Sequence, residues 1–280
     1  MGLGGYLTWT AAARSVRMQL QDQIKILPIE SHGNFIKTIK SEIFKNNKDF
    51  YQDWQNDCFT LPFVLNNPQT NYCKKDTPHK ATHRYDKHII EQICEYFGIN
   101  NPELKCVINL DEEELKRVND LTENLPDNFI TINVDVNTEY TKNKFDLFDK
   151  WQNIVNELKE EFNFVQIGLK GRRLENTIDL TGMTSFREAA GVIGKSNLFV
   201  GSEGGLVHAA TAFNTPSVVV ITSFIHPDLV KYPGNINIWL NDDNHGPCGM
   251  KIYCEKCHDN MKKLNEGMVC EAIREKIRSL

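Results

Sequence analysis

The sequence predicts an α/β fold built on a parallel sheet, and two observations carry that expectation. Across 129–168, β-branched and aromatic runs alternate with helix-period segments: 129–134 reads as a strand, 149–162 as a helix and 164–168 as a strand. Further on, the apolar run Asn197-Leu198-Phe199-Val200 leads through Gly201-Ser202-Glu203-Gly204-Gly205 into the helix-period segment Leu206-Val207-His208-Ala209-Ala210-Thr211-Ala212-Phe213, and a β-branched strand follows Pro216. This is a β-loop-α-β unit. Its glycines let an anion approach the backbone, the first helical N–H groups point at it, and the helix dipole favours its charge.

The remaining elements follow in chain order. A glycine-rich turn, Gly2-Leu3-Gly4-Gly5, precedes a helical stretch over 9–21 and a strand over 23–27. Residues 28–80 read as polar and irregular, with a turn-rich surface loop at 65–72. A helix is expected over 85–97, where Ile89, Ile90, Ile93, Cys94 and Phe97 recur at helical spacing. The segment 111–117 places acids before bases, which suits a helix macrodipole. Residues 121–127 read as a linker and divide the chain into 1–122 and 123–280.

With 40% apolar and 25% charged residues in 280, the chain reads as an ordinary globular protein, and its net charge of −5 gives no electrostatic reason to expect nucleic acid. No run approaches the roughly 18 apolar residues of a membrane span, and the amino terminus has neither a basic region nor a cleavage site. A cytoplasmic protein is expected. Tyr6 stands where a myristoylation motif needs Ser or Thr. Of the eight cysteines, Cys58, Cys73, Cys94 and Cys106 are scattered, whereas Cys248, Cys254, Cys257 and Cys270 share one tail. The Cys-x2-Cys pair within that quartet suits a structural tetrathiolate site for zinc or iron, with His245 and His258 as spare ligands; reduced thiols are the alternative.

The segment 177–193, with its Asp-Leu-Thr-Gly and Thr-Ser pairs, and the unit at 197–221 together resemble glycosyltransferase family 9, the heptosyltransferases. Glu203, Gly205, Leu206, His208, Ala212 and Pro216 match the family run by position. The resemblance implies the glycosyltransferase B architecture, two Rossmann-like domains facing across a cleft. Residues 1–122 would form the acceptor side and 123–280 the donor side. Because the glycine-rich loop starts at Gly2, the first domain either lacks its first strand or is built differently. The resemblance also implies inverting transfer of a sugar, a heptose from its ADP form, to a surface glycan or protein without a catalytic metal. Peripheral membrane association goes with that role.

Site residues follow from the same likeness. Ser202, Glu203, Gly204, Gly205 and Leu206 would receive the donor diphosphate at the helix start. His208 would bind a phosphate or sugar hydroxyl, or else be a satisfied core histidine. Lys144, with Lys142 as the alternative, would contact the phosphates, since it precedes Trp151 by the family spacing although Asp146 and Leu147 replace Trp-Pro. Arg172 and Glu175 lie where a carboxylate would hold ribose hydroxyls, unless they are only a charged surface loop. Gly4, Gly5 and Thr10 correspond to the acceptor loop, in which Gly5 replaces the family aspartate thought to act as general base; Glu203 is the substitute carboxylate. Some relatives carry a four-cysteine metal site in the carboxyl-terminal region. The competing reading is a non-catalytic sugar-nucleotide-binding or assembly protein that has lost its base.

Overall fold

The computed structural model describes residues 2–20, 24–51, 60–67, 73–144, 147–169, 171–241 and 245–280. Residues 68–72 of the expected surface loop, together with Gln23, Cys58 and Asp146, lie outside the described residues. Helix α1 spans Leu3–Gln19 and begins at Gly2, so the glycine segment expected as a turn is the first turn of a helix. The apolar Leu7, Trp9 and Ala11–Ala13 side chains bury that helix, which outweighs the intrinsic cost of its glycines. Strand β1 (Lys25–His32) runs through Pro28, where the sequence suggested an end, and pairs with β2 (Phe35–Thr38) and β3 (Thr60–Val64). A hairpin of β4 (Cys73–Asp76) and β5 (Ala81–His83) follows, so the region read as irregular contains the end of β1 and all of β2, β3 and β4.

Helices α2 (Ile89–Tyr96) and α3 (Glu112–Thr122) open with capping boxes built by His88 with Glu91 and Asp111 with Glu114. Strand β6 (Phe129–Asn133), α4 (Phe148–Leu158), β7 (Asn163–Gln166), β8 (Ile178–Asp179), α5 (Phe186–Lys195), β9 (Leu198–Ser202), α6 (Gly205–Ala212), β10 (Ser217–Thr222) and β11 (Ile236–Leu240) follow. Helices α7 (Glu255–Lys262) and α8 (Glu266–Arg278) end the chain. The strands form one parallel sheet in the order β11-β10-β9-β6-β7-β8, which reverses direction between β6 and β9. In open α/β sheets such a reversal opens a crevice at the carboxyl ends of the strands.

Both faces of the sheet are covered, as the continuous apolar strands require. Val219 and Ile221 of β10 join a core with α1, α2, α3, α5 and α6, while Val218 and Val220 face α4, α7 and α8. The first core spans both halves of the sequence: α1 packs on α6 and α3 on α5. Arg187 of α5, 1% exposed, reinforces that seam with two hydrogen bonds to the Glu114 carboxylate (2.7 and 2.8 Å) and one to the Asn109 carbonyl (2.6 Å). Among the described residues no helix is long and apolar enough to cross a membrane.

Candidate active site

The loop after β6 and the turn after β9 meet at the sheet's reversal point. β9 runs close to β6, since a Cβ on Gly201 would come within 2.9 Å of the Asn133 carbonyl. Glu203 still pairs with the sheet through its N–H to the Val220 carbonyl (2.9 Å). Gly204 then turns the chain in an extended conformation, and α6 starts with no side-chain cap. Val207 N bonds the Gly204 carbonyl (3.2 Å), while the Gly205 and Leu206 amides have no side-chain cap. A Cβ on Gly204 would find only the Ser202 carbonyl, at 3.9 Å, so the space beside the turn is open.

Lys144 reaches this turn from the opposite side. Its Nζ donates to the Glu203 carbonyl (2.9 Å) and pairs with Glu203 Oε2 (2.6 Å). Burial alone would push the Glu203 carboxyl up, but the Lys144 charge and hydrogen bond outweigh it and hold the group below its ordinary value. A carboxylate so held is a weak proton acceptor, which argues against Glu203 as the general base and for its holding Lys144 in place.

His208 lies one turn into α6 and is buried. Its Nδ1 is 2.5 Å from the Tyr232 hydroxyl, which also lies 3.6 Å from Cys106 Sγ. The His88 ring sits edge-on to Tyr232 at 4.7 Å. Burial is the main cause that lowers His208 to about 4 and His88 to about 3. A Cβ on Gly4 would lie 3.0 Å from Gly205 Cα and 3.1 Å from His208 Cδ2, so the start of α1 is packed onto the start of α6.

This contact corrects the conformation expected of Gly4, Gly5 and Thr10, which do not form a loop. All three belong to α1, and Thr10 is structural: its buried hydroxyl donates to the Leu7 carbonyl (2.6 Å) and accepts from Val107 N (2.8 Å). Arg172 and Glu175 occupy the loop after β7 and engage α4. Arg172 pairs with Asp149 (3.1 Å) and covers the Phe148 ring at 3.8 Å, and the Glu175 backbone exchanges hydrogen bonds with Gln152. The structure therefore gathers Lys144, Ser202, Glu203, Gly204, Gly205 and His208 around one turn. Leu206 is half-buried and packs against the core.

The carboxyl-terminal quartet is corrected as well. His245, Cys248, Cys254 and Cys257 converge, with their ligand atoms all within 4.8 Å of one another, whereas Cys270 is buried on α8 in the apolar core beside Val269 and Ile273. Cys270 fills a helix-period core position. Cys248 and Cys257 are 3.0 Å apart, and His245 Nε2 is 3.1 Å from Cys254 Sγ. The neighbouring Cys257 thiol draws the Cys248 pKa down to about 6. Three sulfurs and one imidazole form a ligand set suited to zinc or iron. The spare ligand His258 instead bonds the Lys142 carbonyl (2.9 Å).

The cluster's own chain segment is stitched to the Lys144 loop. Buried Asn143 donates to the Met250 (2.5 Å) and Ile252 (2.8 Å) carbonyls and accepts from Cys254 N (2.8 Å), and Lys142 N bonds the Lys251 carbonyl (2.8 Å). Asn143, Tyr232 and His88 went unnoticed in the sequence because the contacts that bring them to this site, with Met250, His208 and Tyr232 respectively, span more than 20 residues, beyond the reach of local periodicity.

A doubly wound sheet with an uncapped helix start, a lysine and a histidine at its reversal point defines an α/β protein of the Rossmann-like class with a candidate anion site. The profile of glycosyltransferase family 9 (heptosyltransferase) matches residues 75–258, and the chain belongs to that family. No curated protein sequence matches it significantly. Among solved structures it is similar to the iron-containing dodecameric glycosyltransferase TibC of enterotoxigenic Escherichia coli, with 13% identity and a TM-score of 0.68 over 100% of this chain and 74% of that one. It also resembles the family 9 glycosyl transferase of Veillonella parvula, with 15% identity and a TM-score of 0.54 over 70% of this chain and 61% of that one. For the ADP-heptose lps heptosyltransferase II of E. coli the values are 15% and 0.53, over 69% and 62%. The chain thus spans less than two thirds of the last two structures. These likenesses establish the glycosyltransferase B type of fold.

Proposed function

We propose that the chain binds a nucleoside-diphosphate sugar, with ADP-heptose the favoured donor, and transfers the sugar to a glycan or protein acceptor. The observation that carries this reading is the meeting of the uncapped α6 start with Lys144 and Glu203 at the sheet's reversal point. There the α6 amides and the Lys144 ammonium would take the charge that develops on the leaving diphosphate, without a catalytic metal. Displacement by the acceptor oxygen inverts the anomeric carbon. Residues 123–280 hold the donor in this reading and 1–122 the acceptor side, in a cytoplasmic protein associated with a membrane at its periphery. A solved complex of TibC is described as holding ADP-D-beta-D-heptose, which supports the donor class.

His245, Cys248, Cys254 and Cys257 would hold one zinc or iron ion, a structural centre that ties the carboxyl-terminal segment to the Lys144 loop. Metal analysis of purified protein should give close to one equivalent, which Cys257→Ser loses and Cys270→Ser keeps. Equal metal content in the two variants refutes the ligand set.

Titration with ADP, ADP-heptose and UDP-glucose, followed by a transfer assay, tests the main reading. Lys144→Met should weaken ADP by about tenfold or more, the scale of a hydrogen bond to a charged group. Wild type that binds none of the three refutes it. Gly5 in place of the family aspartate favours a second reading, binding without turnover, and donor affinity with no transfer would select it.

A further inference from the structure

We propose that Tyr232 is a positioning residue whose hydroxyl donates to His208 Nδ1 and fixes the imidazole with its proton on Nε2, turned toward the start of α6. This rests on the donor-site reading above. Tyr232 lies between β10 and β11, outside the motifs that mark the family, and is buried. Among the described residues its hydroxyl has two hydrogen-bond partners, His208 Nδ1 at 2.5 Å and Cys106 Sγ at 3.6 Å. An imidazole nitrogen is a good acceptor and a thiol sulfur a poor one, so the phenol proton belongs on the short contact to nitrogen. The weakly acidic thiol then donates to the phenol oxygen. The reverse order would direct the phenol proton at sulfur across the longer distance.

The surroundings hold this relay in place. Cys106 N donates to Thr211 Oγ1 (3.1 Å), which donates to the His208 carbonyl (2.7 Å), so the Cys106 segment is tied to the helix turn that carries His208. Helical side chains lean toward the amino end of their helix. Consistent with that direction, Cδ2, the ring carbon next to Nε2, faces Gly4 and the α6 start.

The tautomer matters because both groups are neutral: burial takes His208 down to about 4 and Tyr232 well above its ordinary value. A neutral imidazole offers an anion either an N–H or a lone pair. Only the Nε2–H form attracts a diphosphate oxygen. Fixing it in advance spares the ligand the cost of selecting one of two tautomers.

Nitrogen NMR of protein carrying 15N-labelled histidine reads the tautomer directly, with ADP titration alongside. Wild type should show His208 Nδ1 as an unprotonated, hydrogen-bonded nitrogen and Nε2 as protonated. Tyr232→Phe keeps the ring and removes the proton; the Nδ1 signal should shift and ADP affinity should fall by about tenfold. A protonated Nδ1 in wild type overturns the proposal without recourse to any variant. So do identical nitrogen spectra in the two proteins, or a changed tautomer with unchanged ADP affinity. Wild type that binds no ADP refutes the donor-site reading instead, and its spectrum still decides the tautomer.

Discussion

Replacing Asn143 with alanine should both destabilise the protein and weaken donor binding, because Asn143 joins the thiol–imidazole segment to the loop that carries Lys144. The side chain is fully buried and makes three hydrogen bonds, to the Met250 and Ile252 carbonyls and from Cys254 N. Each is worth about 0.5–1.5 kcal/mol net, and the Met250 carbonyl keeps a second donor in the Thr141 hydroxyl (2.9 Å), so the loss should come to about 2–4 kcal/mol. For a chain of this length that corresponds to roughly 4–16 °C in the melting temperature. Calorimetry measures the first effect and ADP titration at a temperature where the variant is folded measures the second. A melting temperature within about 1 °C of wild type would refute the stitching argument. A large drop in stability with unchanged ADP affinity would leave the stitch but deny that it places Lys144.

Gly204→Val should leave the fold intact, since Gly204 is extended and its Cβ direction is open, yet weaken ADP severalfold; Gly4→Ala should cost about 1–3 kcal/mol by pressing on Gly205 and His208. Unchanged ADP affinity for the first, or unchanged melting for the second, contradicts the packing described. Stability should fall as the pH drops from about 6.5 toward 3, because an unfolded His88 takes up a proton near 6.5 and the folded one only near 3. His88→Asn keeps a good helix cap and should flatten that slope in melting temperatures read between pH 6 and 4. Glu203→Gln should tighten ADP by uncovering the Lys144 charge; a transfer rate reduced by about 10²–10⁴-fold at unchanged ADP affinity would make Glu203 the base instead. Gly5→Asp should raise transfer by a similar factor, and equal rates with and without the aspartate would place the base elsewhere.

The second half of the fold was legible because parallel strands buried on both faces read as apolar runs, and β6, β7, β9 and β10 fall within a few residues of the expected spans. In the first half the helices over 9–21, 85–97 and from 111 were legible, but the strands and the start of α1 were not. β1 crosses Pro28, which reads locally as a stop, and β3 is set by its pairing with β1 rather than by a pattern of its own. In α1, Gly4 and Gly5 read as a turn, whereas burial of Leu7, Trp9 and Ala11–Ala13 decides for helix and the missing Cβ of Gly4 admits α6. At the site, the residues next to the β9–α6 turn were found because one short motif holds them. Local spacing placed Cys270 in a quartet from which its helix face removes it, while His245 enters through a loop of no regular period.

In the proposed donor turn, the charge balance explains how an acid can sit where an anion would bind. Lys144 and Glu203 are both mostly buried, and either charge alone at that depth would carry a large desolvation penalty. Paired, they leave the unliganded turn near neutral and fix the lysine at the reversal point. Two of the three ammonium protons are spent on the Glu203 carbonyl and carboxylate, which leaves one for a phosphate oxygen. Attraction for a diphosphate would then rest chiefly on neutral dipoles, the uncapped Gly205 and Leu206 amides and the proposed Nε2–H of His208, rather than on net positive charge. Such groups lose less to salt screening than exposed charges do. Donor affinity should therefore depend only weakly on ionic strength, and the geometry of this one turn, held by Gly4, Asn143 and Tyr232 from three distant parts of the sequence, governs it.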